Sequence, residues 1–299
     1  KFFGKTLNYI KGQKLKINKI VDLSIKGDNV SSISNSFSTG IKKFSSVLYE
    51  IKPDAIMILG DRYEIFSSAI SACLNRIPII HLHGGERTEG LIDEAIRHSI
   101  TKLSHIHLVS TEIYKKRVIQ LGENKKHVYN VGSLGVESIK KTKFLNKFEI
   151  EKKLQIKLKK KIALVCYHPE TLSNTGSIAN LKKFFKAISK LKDFTIIFTM
   201  PNADIGYKNI VREINKFIKK NHNSYLIKSL GHQMYFSLCN YASLMIGNTS
   251  SGIIEFPTFK KPTINIGKRQ DGRIKPKSVI DSSHNISTLL NKISLSSKE

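Results

Sequence analysis

The sequence predicts an α/β fold made of two Rossmann-like, doubly wound domains with a cleft between them. Two observations carry this expectation. Short apolar runs alternate with longer segments of helical periodicity, first over residues 15–131 and again over 162–293. Between the two series lies a lysine-rich connector over 144–161, which sets the expected domains at 1–145 and 146–299. A length of 299 residues gives room for two domains, at roughly 150 residues each.

Taken in order, residues 1–13 read as a helical piece and 15–21 as a strand. Residues 31–51 carry Ile33, Phe37, Ile41, Phe44, Val47 and Leu48 near helical spacing, and Pro53-Asp54 ends that helix. Strands are expected over 55–59, 78–82, 106–109 and 128–131, with helices over 63–74, 91–103 and 113–121 between them. The second series places strands over 162–166, 194–199, 225–227, 244–246 and 263–266. Its helices cover 178–191, 205–220, 234–241 and 251–257, and a last one covers 287–293.

Composition narrows the function classes. The net charge of +27 comes from 50 basic and 23 acidic residues. One reading is a non-catalytic, polyanion-binding protein. Against it, the lysines are scattered, there is no Trp, and basic and aromatic residues do not alternate. A solvated surface that also draws in anionic small molecules is the simpler account, and no nucleic-acid partner is expected. No apolar run is long enough to span a bilayer, so no membrane partner is expected either. Cys73, Cys166 and Cys239 sit far apart in apolar settings, as reduced thiols of a cytoplasmic protein do.

Polar clusters punctuate the ends of the expected strands, where open parallel sheets bind ligands. Gly60-Asp61-Arg62 closes one apolar run; its plainer reading is an Asp helix cap beside a surface Arg. His83-Gly84-Gly85-Glu86 closes the next, and paired glycines permit close backbone approach to a ligand. Asp93, Glu94, Arg97 and His98 share one helix, so 93/97 and 94/98 are neighbours one turn apart. Acids in a first turn also suit any helix. The His81/His83 and His105/His107 pairs lack a third ligand, so no metal is expected. In the second half, His168 follows a strand before Pro169-Glu170. Gly247-Asn248-Thr249-Ser250-Ser251-Gly252 lies between strand and helix as a hydroxyl-rich anion loop, or only as a cap. It is not a P-loop, since no Gly-Lys-Ser/Thr follows at the required spacing.

Together these motifs resemble the hydrolysing UDP-N-acetylglucosamine 2-epimerases of bacterial sialic acid biosynthesis. The carriers are GDRYEIFSSAI (60–70), HLHGGERTEGLIDEAIRHSITKLSHIHLVSTE (81–112), YKKRVIQLGE (114–123), YHPETLS (167–173), PNAD (201–204), IGNTSSGIIEFP (246–257) and INIGKRQDGR (264–273). The resemblance implies a GT-B type fold, a UDP-sugar substrate, no cofactor, and a homo-oligomer, dimeric or tetrameric. It implies removal of the sugar C2 proton, elimination of UDP, and addition of water to the glycal. Asp61, Glu86, Asp93 and His168 are then catalytic candidates. Arg62, His83, Glu94, Arg97, His98, Asn202, Ser250, Ser251, Gly252, Glu255, Arg269 and Arg273 are substrate-binding candidates. Many relatives carry Glu where this chain has His83, which leaves the C2 base between Glu86 and Asp93. A related substrate, UDP-N,N'-diacetylbacillosamine, fits the same fold. The family's opening strand and Thr-Gly-Ser/Thr-Arg-Ala-Asp-Tyr loop have no counterpart here, so the chain reads as shortened at both ends.

Overall fold

A computed structural model describes residues 10–12, 15–23, 27, 29–170, 177–202, 204 and 206–296. The chain divides at Glu137/Ser138 into two compact units, one of them Ile17–Glu137. Most of the helical piece expected over 1–13 lies outside the described residues, as does the end of the 167–173 motif.

In the first unit, α1 (Val30–Ile51) is opened by Asn29, whose side chain accepts the Ser32 N–H. It is closed by Lys52 in the left-handed conformation, ahead of Pro53. Then follow β1 (Ile56–Leu59), α2 (Tyr63–Leu74), β2 (Ile79–Leu82), α3 (Asp93–Leu103), β3 (Ile106–Val109), α4 (Glu112–Gln120) and β4 (Val128–Asn130). The strands form one parallel sheet in the order β1-β2-β3-β4. Leu48, Ile58, Ala69, Ala72, Ile79 and Ile100 pack α1, α2 and α3 onto one face. Val109, Tyr114, Val118 and Val128 seat α4 on that face as well. The alternate residues point the other way, and there Met57 is 62% and Tyr129 50% exposed.

The strand expected over 15–21 does not form; these residues carry no ladder pairing. Leu15 and Ile17 alternate with Lys16 and Asn18 as a strand face would, but Leu15 remains exposed. Alternation marks a strand only where a neighbour supplies the ladder.

The second unit contains α5 (Leu134–Lys141), within which the division falls, and α6 (Lys147–Leu154), opened by an Asn146/Glu149 capping box. Then come β5 (Lys161–Cys166), α7 (Ser177–Ile188), β6 (Phe194–Thr199), α8 (Tyr207–Lys220), β7 (Ser224–Ile227) and α9 (Gly231–Tyr241). The unit continues with β8 (Leu244–Gly247), α10 (Ser251–Ile254), β9 (Thr263–Ile266), β10 (Val279–Ser282) and α11 (Ile286–Ser296). All pairings are parallel, in the order β10-β9-β8-β5-β6-β7. Val165, Ile196, Phe198 and Ile246 meet Phe184, Phe185, Ile214, Phe217 and Leu289 on one face. Leu164, Ile197 and Met245 meet Ile150, Leu238 and Phe256 on the other. Strands buried on both faces read as continuous apolar runs, and β5, β6 and β8 do. The chain runs outward in one direction from β5 and in the other from β8. Their adjacent carboxyl ends are therefore the topological switch point of this sheet. Among the described residues no helix is long and apolar enough to cross a membrane.

Candidate active site

Each unit gathers its polar clusters at strand carboxyl ends. In the first, the centre is Arg97 on α3, with only 1% of its surface exposed. Its five N–H groups are all committed. Nε donates to Asp61 Oδ2 at 2.9 Å, and one Nη2 hydrogen goes to the same oxygen. The other goes to Thr88 Oγ1 at 2.9 Å. Nη1 donates to the Glu86 carbonyl at 2.9 Å and to Glu94 Oε2 at 3.0 Å. One guanidinium thus joins the loops after β1 and β2 to the first turn of α3. Asp61 is not a helix cap: the N-cap of α2 is Arg62, and no side chain caps there.

Glu94 accepts from the Thr88 backbone N–H and stands 3.0 Å from His98 Nε2, the expected one-turn pair. Burial pushes its carboxyl up, but His98, the Thr88 N–H and Arg97 outweigh burial and hold it at about 2. For Arg97 itself, burial works against the charge, yet Asp61 first, then Glu86 and Glu94, keep its pKa raised. Asp93 opens the same helix beside Glu94.

The loop after β2 is held tightly. Its backbone turns on His83, at φ 64°, and on Gly85, at φ 77°. A Cβ on Gly85 would lie 2.5 Å from the Tyr114 carbonyl oxygen, so only glycine fits against α4. Arg117 donates to the Gly85 carbonyl at 2.5 Å. Glu86, 4% exposed, holds His83 Nδ1 at 3.2 Å from Oε1. His81 lies beneath, with Nε2 at 3.2 Å from the Gly60 carbonyl and Nδ1 at 3.3 Å from Thr101 Oγ1. Burial pushes its pKa down to about 4, so the ring is neutral near pH 7. Arg62 extends beside Glu64, both bonds at 3.2 Å, and over the Tyr63 ring.

In the second unit, Asn248 staples the switch point. Its Oδ1 accepts the His168 N–H at 2.7 Å and its Nδ2 donates to the His168 carbonyl at 2.9 Å. Gly247 before it has φ 143°, and a Cβ there would lie 1.9 Å from the Cys166 carbonyl oxygen. His168 Nδ1 accepts the Asn202 N–H at 3.0 Å, which puts the proton of the neutral ring on Nε2, 3.1 Å from Cys166 Sγ. Burial pushes the Cys166 pKa up, so it stays a thiol.

Arg269 is buried. It donates to the carbonyls of Pro169 at 3.2 Å and Asn248 at 3.1 Å, and lies 3.8 Å from Asp204. Gln270 donates to the same Asn248 carbonyl at 2.9 Å. Ser250 precedes α10 and Ser251 opens it, with Ser251 Oγ 2.5 Å from the Tyr235 hydroxyl. Gly252 allows α10 to pack on β9, where Thr263 Oγ1 donates to its carbonyl at 2.6 Å. Glu255 follows α10, and Arg273 lies in the loop beyond β9.

The structure therefore brings together Asp61, His83, Glu86, Glu94, Arg97 and His98 in one unit, and His168, Asn202 and Arg269 in the other. Arg97 and Arg269, expected among substrate-binding residues, spend their guanidinium groups inside the protein and hold loops in place. Sequence reasoning missed His81, Thr88, Arg117, Tyr235 and Asn248. Tyr235 lies outside every quoted motif; the other four lie inside one, but their contacts become visible only through packing.

Residues 3–299 match the family model described as UDP-N-acetylglucosamine 2-epimerase. The chain is 45% identical over 284 residues to the hydrolysing GDP/UDP-N,N'-diacetylbacillosamine 2-epimerase of Campylobacter jejuni, covering 95% of this chain and 74% of that protein. It is also 45% identical over 280 residues to polysialic acid biosynthesis protein P7 of Escherichia coli, covering 93% of this chain and 71% of that protein. It superposes on UDP-GlcNAc 2-epimerase from Neisseria meningitidis bound to UDP-GlcNAc with a TM-score of 0.77 at 19% identity, over 97% of this chain and 79% of that one. The expected GT-B type fold is the one it has. The family match over nearly the whole chain and the 45% identities together place it: the chain belongs to the UDP-N-acetylglucosamine 2-epimerase family.

Proposed function

We propose that this chain is a hydrolysing 2-epimerase that converts UDP-N-acetylglucosamine and water to N-acetylmannosamine and UDP, for sialic acid or related sugar biosynthesis. The observation that carries the reading is the buried Arg97 hub, which fixes Asp61, Glu94 and the Glu86 loop at adjacent strand ends. The sugar C2 proton is not acidic. A positioned base and a stabilised leaving diphosphate must share the work.

In this reading the first unit transfers protons through Asp61, Glu86 and Asp93. The second unit holds the diphosphate through His168, Ser250 and Ser251, with Arg62 assisting, and the ribose through Glu255. Loss of the C2 proton and of UDP gives a glycal, to which water adds with inversion at C2. Asn202, His98 and Arg273 line the substrate. The net charge of +27 raises the local concentration of an anionic nucleotide. The enzyme takes no cofactor and works in the cytoplasm as a homo-oligomer.

A second reading, the same chemistry on UDP-N,N'-diacetylbacillosamine, is favoured by the 45% identity to the C. jejuni enzyme. Incubation with each nucleotide, with UDP assayed and the sugar identified by NMR, tests both. Free N-acetylmannosamine plus UDP is expected. An epimerised sugar still attached to UDP would refute hydrolysis, and selective turnover of the bacillosamine nucleotide would replace the substrate.

A further inference from the structure

We propose that His83 is a catalytic residue of this site, the group that takes the C2 proton, and that Glu86 is a positioning residue acting through it. The proposal rests on the hydrolysing 2-epimerase reading and moves the base from a carboxylate to an imidazole.

Three observations meet on this ring. First, His83 is the residue immediately after β2 and has φ 64°, in the left-handed region that residues other than glycine adopt uncommonly. Its N–H continues the ladder to the Leu108 carbonyl at 2.9 Å, so the turn is pinned by backbone and the ring direction follows from it. Strain of this kind is retained where it aims a functional group. Second, Nδ1 lies 3.2 Å from Oε1 of the buried Glu86. An ionised carboxylate only accepts, so Nδ1 carries the hydrogen and Nε2 of the neutral ring keeps its lone pair. Third, His83 Nε2 is buried and has no hydrogen-bond partner. A buried acceptor without a partner is rare, and a ligand proton is what this one lacks.

A carboxylate on one ring nitrogen and a lone pair on the other make a general base. The charged group bonded to the ring is Glu86 on its own loop; the neighbouring elements carry Asp61 after β1, Glu94, Arg97 and His98 on α3, and Arg117 on α4, the last bonded to the Gly85 carbonyl. In the step, the C2–H proton passes to Nε2, and the electron pair of that bond becomes the C1=C2 double bond. The C1–O bond breaks, and its pair leaves on the diphosphate. Glu86 then faces an imidazolium. Water gives its hydroxyl to C1 and its proton to C2 on the opposite face, and the imidazolium releases the abstracted proton to solvent.

The test uses the full chain, UDP-N-acetylglucosamine and UDP-N,N'-diacetylbacillosamine, and a UDP-release assay. In His83→Asn, the side chain accepts a left-handed backbone and can still donate toward Glu86, but has no titrating nitrogen. Expected is a fall in kcat of about 10²–10⁴-fold, with KM within about threefold and the melting curve unchanged. Added imidazole should restore at least about tenfold of the lost rate, which a structural defect would not allow. Glu86→Gln should lower kcat by only about tenfold, without imidazole rescue, because the ring is still present. His83→Asn turning over like the wild type, or Glu86→Gln abolishing turnover while His83→Asn retains it, would overturn the assignment and leave the epimerase reading standing. Wild-type protein that releases no UDP from either nucleotide would overturn that reading and the proposal with it.

Discussion

Replacing Arg97 by Lys keeps the charge and removes the fork, which makes it the sharpest test of the hub. Arg97 makes five bonds to Asp61, Glu94, Thr88 and the Glu86 carbonyl from a position 1% exposed. Lys offers three donors on a flexible stem, so at least two bonds are lost. Hydrogen bonds to charged groups contribute roughly 1.5–3 kcal/mol each. Two lost bonds of this kind give a destabilisation of about 4 kcal/mol, or on the order of 15 °C in Tm for a unit of this size. The catalytic loss should be larger than a uniform binding defect, because Asp61 and the Glu86 loop shift together. A misplacement of about 1 Å costs roughly a hundredfold in rate. Thermal unfolding followed by circular dichroism, beside UDP release, reads both quantities. Arg97→Met, which leaves the carboxylates without a counter-charge, should be worse than Lys. An Arg97→Lys protein within about 1 kcal/mol of wild type, with unchanged kcat, would show that the hub neither stabilises the fold nor sets the site.

Three further outcomes follow from the geometry. Asn248→Asp turns the donor toward the His168 carbonyl into an acceptor and adds a negative charge; a stability loss of about 2 kcal/mol and weaker UDP binding by calorimetry are expected, and unchanged binding would remove Asn248 as the staple. Gly247→Ala places a methyl 1.9 Å from the Cys166 carbonyl oxygen, so the switch-point loop must move; UDP affinity should fall by roughly tenfold or more, with KM rising more than kcat falls. His81 has a folded pKa of about 4 against an ordinary value of 6.5, so its contribution is fully present above pH 6.5 and is lost as pH falls toward 4. That contribution is about 3 kcal/mol, and in urea titrations His81→Asn should flatten the stability profile in this window, whereas the Glu94 contribution is lost lower, between its ordinary value of 4.5 and about 2.

The helix over Tyr63–Leu74 was legible to the residue, and the strands of the second unit nearly so, because both-faced burial writes continuous apolar runs into the sequence. Residues 15–21 carried a strand pattern and formed no strand, because pairing is non-local. β10 and α5 were missed: β10 is four residues long with no run of its own, and α5 is only eight residues long, little more than two turns.

What the sequence by itself determined is the order of elements, the positions of the polar strand ends, and the residue types gathered there. These follow from local periodicity and from the chemistry of Gly, Asp, His and Ser at turns. What only the tertiary structure decided is which of those groups touch. Asp61 and Arg97 lie 36 positions apart, and no spacing rule says that the guanidinium reaches back across α3 to hold it. Asn248 bonds across 80 residues to His168, because β5 and β8 are neighbours in the sheet though distant in the chain. The pairing of His83 with Glu86 is local, but the strained φ and the solitary Nε2 are not. Both depend on the ladder with β3 and on how completely the surrounding elements exclude water.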